Sequence, residues 1–130
     1  MSYGDSSMLS PEGLDPAWQD FLRQKVNSFI KWDLVRFFHD NAHAADTAEN
    51  IATVVGRDPE TTRRELDSLA NAGVLEFEKI SGSVIYRLSS DPQMRALIRD
   101  FMAACHDRDF RVKAINHVIE GMGFTPHHDF

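Results

Sequence analysis

A chain of 130 residues, 42% apolar and 26% charged, has the size and composition of one globular domain that can bury its own core. Its formal net charge of −6 works against loose electrostatic attraction to nucleic acid or anionic lipid. The single cysteine, Cys105, excludes an internal disulfide, no apolar run reaches the length of a membrane span, and Met1 to Gly13 lack the basic start and apolar stretch of a signal peptide, so a cytoplasmic protein with no membrane contact is expected.

Residues 1–14 are rich in Ser, Gly and Asp and are expected to form a disordered tail. The pair Asp-Pro then occurs three times, at Asp15-Pro16, Asp58-Pro59 and Asp91-Pro92. An aspartate accepts hydrogen bonds from the unpaired N–H groups of a first helical turn, and proline at the next position gives up a donor that has no partner there. Each pair therefore predicts a helix start, the cap contributing about 1 kcal/mol.

The first helix is predicted over about Pro16 to His39, from Trp18, Phe21, Leu22, Val26, Phe29, Ile30, Leu34, Phe37 and Phe38 at three- and four-residue steps, with Asn27-Ser28 as a place where it could divide. The stretch HDNAHAAD reads as a turn. Asp46 and Glu49 resemble a capping box that opens a short helix, TAENIATVVG, ending at Gly56. A third helix follows Asp58 and ends at Gly73. Two alternating runs, Leu75 to Ile80 and Val84 to Leu88, flank Ser81-Gly82 and predict a β-hairpin. Two more helices follow, Pro92 to about His106 and about Asp107 to Met122, and 123–130 reads as a second tail. The domain plan is thus 1–14 tail, 15–90 the main unit, 91–122 C-terminal helices and 123–130 tail.

Helix, short helix, three-residue turn, helix and hairpin, in the sequence TAENIATVVGRDPETTRRELDSLANAGVLE followed by FEKISGSVIYRLS, resembles the winged helix-turn-helix family over about Ser28 to Ser89. The resemblance implies an α+β, mostly α fold: a three-helix core and a two-stranded wing, here with additional N- and C-terminal helices. It also implies double-stranded DNA as partner, with the recognition helix, about 59–72, in the major groove and the wing, about 74–89, beside it. Thr62, Leu66 and Leu69 take the inward positions of that helix, leaving Pro59, Glu60, Thr61, Arg63, Arg64 and Asp67 outside. Arg63, Arg64 and Thr61 are then candidates for the groove, and Arg57, Lys79 and Arg87 for the DNA backbone. The flanking helices either wrap their own domain or, as in repressors with this layout, form dimers, which makes Trp18, Phe21, Leu22, Met94, Leu97, Ile98, Phe101 and Met102 candidates for a homodimer interface.

The charges pull against DNA. From Thr47 to Ser89 the seven carboxylates Glu49, Asp58, Glu60, Glu65, Asp67, Glu76 and Glu78 face five cations, Arg57, Arg63, Arg64, Lys79 and Arg87, for a net −2. The bland alternative pairs these charges along the helix, Glu60 with Arg64 or Arg63 with Asp67. The functional expectation is a DNA-binding transcriptional regulator, and the alternative is a protein-binding or scaffold module without specific DNA binding.

Other constellations are weaker. His39 and His43 with Asp40 or Asp46, or Cys105 with His106, have the ligand chemistry of a zinc site, but turn-like spacing and adjacent positions on a helix favour ordinary structural roles, and His127-His128 is weaker still. Asp107 and Asp109 read as a charged helix start between Arg108 and Arg111. No phosphate loop, serine elbow or His-Glu-x-x-His motif is present, so no enzyme, catalytic residue, metal or cofactor is expected.

Overall fold

A computed structural model describes residues 13–123. The expected tails, and His127-His128, lie outside the described residues except at their inner ends. There Leu14, expected in the tail, is a core residue at 5% exposure.

All three Asp-Pro pairs open helices. Asp15, Asp58 and Asp91 each accept a first-turn amide, and proline follows at the first helical position. α1 (Pro16–Gln24) and α2 (Phe29–Asp40) are separate helices where one long helix was the first expectation. The reason is Ser28: its hydroxyl accepts the Lys31 amide from an extended backbone (φ −149°, ψ 159°), a geometry that cannot continue a helix. A two-residue strand β1 (Ala45–Asp46) precedes α3 (Ala48–Val55) within the stretch read as a turn. The cap of α3 lies one residue later than expected, at Thr47, whose hydroxyl accepts the Asn50 amide at 3.2 Å. Gly56, at φ 73°, ends α3 in the left-handed region.

α4 (Pro59–Asn71) leads into the hairpin strands β2 (Leu75–Ile80) and β3 (Ser83–Leu88), and α5 (Pro92–Ala104) and α6 (Arg108–Gly121) follow. The hairpin turns on Ser81 and Gly82, both at positive φ (51° and 82°), the backbone that matches the twist of paired strands. β1 pairs with β3, so the sheet is three-stranded and antiparallel in the order β1-β3-β2, one strand more than the predicted hairpin. A two-residue strand is too short to leave an alternating pattern. The fold is α+β and mostly helical, and among the described residues no helix is long and apolar enough to cross a membrane.

α4 packs against α2, α3 and β2. Its inward residues Thr62, Leu66 and Leu69 are fully buried among Leu34, Val35 and Phe38 of α2, Ile51 of α3, and Val74 and Leu75. Burying each leucine stabilises the fold by roughly 2 kcal/mol. Polar contacts hold the helix at its middle and at its C-terminal end. Lys31, only 8% exposed, reaches Asn27 Oδ1 at 2.6 Å and Glu65 Oε1 of α4 at 3.4 Å, and the Ser28 hydroxyl donates to the same Glu65 carboxylate at 3.1 Å. At the C-terminal end the Lys25 ammonium donates to the Ala72 carbonyl at 2.8 Å, supplying a partner and a positive charge at the end of α4.

The terminal helices are spent inside the molecule. α6 lies on α1 and α5 on α2. Trp18 and Phe21 from α1, Trp32 from α2, Phe101 from α5 and Phe110 from α6 form one aromatic cluster, with Phe21 and Phe101 centroids 4.9 Å apart. Of the expected interface residues, Phe21, Leu22, Ile98, Phe101 and Met102 are buried, and Trp18, Met94 and Leu97 are half-buried against the same core. These residues pack against the core of their own copy.

Two measurements follow from this packing. The Thr62 hydroxyl is buried without a hydrogen-bond partner, and an unsatisfied polar group inside a fold carries a desolvation cost. Thr62→Val keeps the shape and removes that group, so it should leave the denaturant midpoint unchanged or raise stability by up to about 1 kcal/mol; a loss above about 1 kcal/mol would show that the hydroxyl has a partner. Glu76 accepts the Ser90 amide at 2.8 Å and the Ser90 hydroxyl at 2.7 Å, which hold its carboxyl below the usual 4.5. A lowered folded-state pKa contributes stability that is present above the unfolded value and lost as pH falls through the folded one. Glu76→Gln should therefore lose less stability than the parent between about pH 5 and about pH 3, and parallel curves would contradict the latch.

Candidate nucleic-acid interface

The turn Gly56–Asp58 delivers α4 with its N-terminal half exposed: Pro59, Glu60 and Arg64 are open to solvent, and Thr61 and Arg63 are partly covered. Asp58 organises this end. Its carboxylate accepts the Thr61 amide at 2.8 Å and the Thr61 hydroxyl at 3.0 Å, and these two bonds hold the Asp58 carboxyl below its usual range. The Thr61 hydroxyl proton is therefore committed to the cap, which leaves the oxygen only as an acceptor toward an outside group.

The cations divide into two sets. Arg57 meets Asp33 of α2 at 2.5 Å, Arg63 meets Glu60 at 2.5 Å, and Arg87 meets Glu78 at 2.9 Å and Glu76 at 3.7 Å. Arg64 and Lys79 are exposed and make no hydrogen bond or ion pair with any described residue; Arg64 acts on Asp58 only through its field. The charge pairing differs in detail from both expected pairs. Glu60 takes Arg63 one step earlier on the helix than Arg64, and Asp67 accepts the Tyr86 hydroxyl at 2.5 Å. Burial, and then this carboxylate, push the Tyr86 phenol well above its usual range, so it stays a neutral donor that locks β3 to α4.

Sheet register decides what the hairpin can offer. Phe77 pairs with Tyr86 and Lys79 with Val84, so Lys79 shares the sheet face that meets α4 through Tyr86. Glu76 pairs with Arg87 and Glu78 with Ile85, so Arg87 lies on the opposite face between two carboxylates. Of the six residues predicted for binding, Arg57, Thr61, Arg63 and Arg64 lie on α4 and its preceding turn, Lys79 stands on the α4 side of the hairpin, and Arg87 does not join them. Arg63 lines a cavity of about 250 Å³ with Thr47, Glu49, Gly82, Ser83 and Tyr86, which brings α4 and the hairpin turn to one concavity.

The other constellations resolve into local roles. His39 Nδ1 is 3.2 Å from Asp40, His43 is exposed, and among the described residues no group of three or more His, Cys, Asp and Glu side chains is gathered as a metal ion would need. Cys105 is half-buried, and burial pushes its thiol up to about 11, leaving it protonated at neutral pH. Asp107 caps α6 by accepting the Asp109 amide, and Asp109 meets Lys113 at 2.8 Å.

Sequence reasoning did not find Asp33, Glu76 or Glu78 as partners of the candidate cations. The last two were within reach, because a turn at Ser81-Gly82 places Glu76 opposite Arg87 by register alone. Asp33 lies 24 residues from Arg57 and is joined to it only by the packing of α2 against the turn. Comparison of the chain with protein-family models, with curated proteins and with solved structures gives no match in any of the three.

Proposed function

We propose that the chain is a double-stranded-DNA-binding regulator of the winged helix-turn-helix type, a binding protein and not an enzyme, with α4 entering the major groove and the β2–β3 hairpin as its wing. The observation that carries this is the division of α4: Thr62, Leu66 and Leu69 are sealed in the core, while Arg63 and Arg64 point outward beside a hairpin that adds Lys79 on the same side. Helix, turn, helix and hairpin occur in the order this function uses. Arg64 and Lys79 are the contacts ready to be made. Arg57 and Arg63 can serve by exchanging a carboxylate for a phosphate, at the cost of leaving Asp33 and Glu60 near the duplex. Arg87 is a strand-face ion pair and not part of the site. α1, α5 and α6 pack on the core of their own copy, while Val112 and Met122 of α6 stay 43% and 37% exposed.

A second reading, a protein-binding module, is favoured by one observation. Three of the five cations are neutralised internally, while Phe77 and Ile80 on the hairpin remain 55% and 48% exposed.

Fluorescence anisotropy with random and genomic duplexes, across a salt series, separates the two readings. DNA binding should weaken steeply with salt. Arg64→Ala and Lys79→Ala should each weaken it and reduce the salt slope by about one, whereas Arg87→Ala should change little. No binding to any duplex at low salt, with a protein partner recovered instead, would replace the first reading by the second. Asp33→Asn removes a carboxylate beside Arg57 and should raise duplex affinity several-fold, by about 1 kcal/mol. An unchanged or lower affinity would place Arg57 away from DNA.

A further inference from the structure

On the side of α2 turned toward the terminal helices, two cavities adjoin and share three walls: Trp32, Arg36 and Arg111. The larger, about 280 Å³, adds His39, Asp40, Met102, Cys105 and His106. The smaller, about 130 Å³, is mainly apolar and adds Phe29 and Ile115. Together they make a groove with two guanidiniums and an indole on the wall they share and an apolar end at Phe29 and Ile115.

Its two guanidiniums are under-used. Arg111 donates once, to the Cys105 carbonyl at 2.7 Å, and Arg36 only reaches Asp33 at 3.5 Å, the limit of a hydrogen bond. A guanidinium carries five N–H donors, so both keep donors to offer. The carboxylates on the groove are Asp33, shared between Arg57 at 2.5 Å and Arg36 at 3.5 Å, and Asp40, 3.2 Å from His39. Counting Arg57, which holds Asp33, three guanidiniums face two carboxylates here, next to an indole face and apolar side chains. Fixed donors beside an apolar wall are the usual composition of a small-molecule site.

We propose that this groove binds a small organic monoanion with an apolar body, of the aryl-carboxylate class, its carboxylate between Arg36 and Arg111 and its ring along Trp32 toward Phe29 and Ile115. A guanidinium pair selects for the carboxylate over a neutral group, since it forms charge-assisted bonds. The apolar end selects for a ring over a bare anion. The Cys105 thiol, protonated at neutral pH, is wall and not reactant. This inference stands apart from DNA binding: the groove is on α2, α5 and α6, and it is tested without any duplex.

The probes are benzoate, benzyl alcohol as its neutral counterpart and acetate as the anion without a body, each titrated into the full chain and followed by amide chemical shifts. Benzoate should give one saturable site with shifts at Trp32, Arg36 and Arg111, and the other two should bind at least tenfold more weakly. Arg36→Gln, on an exposed side chain of α2, and Arg111→Gln should each reduce benzoate affinity about tenfold, with the dispersion of the remaining spectrum showing that each variant is folded. No saturation by about 20 mM benzoate, equal binding of benzyl alcohol or acetate, or benzoate affinity unchanged in both variants would overturn the proposal.

Discussion

The burial of one stripe of α4 determines what the rest of the molecule can do. Thr62, Leu66 and Leu69 fill the space between α2, α3 and the start of the hairpin, and every outward position on α4 is fixed by that fact, because a helix that buries one face must show the other. Polar contacts at its middle, Lys31 and Ser28 on Glu65, and at its C-terminal end, Lys25 on the Ala72 carbonyl, tie the helix to α2 and the end of α1. The bond from Tyr86 to Asp67 then sets the hairpin against the same helix. Arg64 and Lys79 share one side of the molecule because these inward contacts leave them no other place.

The electrostatics of that side are a balance. Net charge and local composition are acidic, yet most of the acids near α4 have structural work: Asp58 caps the helix, Glu65 meets Lys31, Asp67 meets Tyr86, and Glu76 holds Ser90. Glu65 meets a cation in Lys31, and Glu76 lies 3.7 Å from Arg87. Asp58 and Asp67, however, accept from neutral donors, which does not cancel a carboxylate's charge toward a phosphate. The same geometry draws Arg57 and Arg63 into ion pairs with Asp33 and Glu60, which lowers what they offer an outside anion. Surface pairs of this kind contribute little to stability and exchange partners cheaply, so they tune affinity without removing it.

Much of the fold was legible because local rules agreed with one another. Asp-Pro marked three helix starts, Gly56 and Gly73 marked two ends, and alternation around Ser81-Gly82 marked the hairpin. Elements that depend on distant residues were hidden. β1 exists because Ala45 and Asp46 pair with Arg87 and Tyr86, and two residues leave no pattern to read. The division at Ser28 was visible as an option, and the hydroxyl's bond to the Lys31 amide decides it. The candidate site was legible as a set of outward positions on α4; its charge state was not. Arg57 meets an aspartate on another helix, and the face of Arg87 follows from strand register, which the alternating pattern did contain. The terminal helices showed apolar stripes, and a stripe alone does not say whether the covering surface belongs to the same chain or to a second copy.

The most direct test of this account is a residue-by-residue footprint: amide and side-chain chemical shifts of the folded chain with a short duplex added at low salt. The account predicts perturbations at Arg57, Thr61, Arg63, Arg64 and Lys79 and the hairpin turn, with Arg87, Leu66 and Leu69 and the α5–α6 side unmoved. Perturbations confined to α5, α6 or the Arg87 face, or an unchanged spectrum, would contradict the claim that the outward side of α4 is the binding surface.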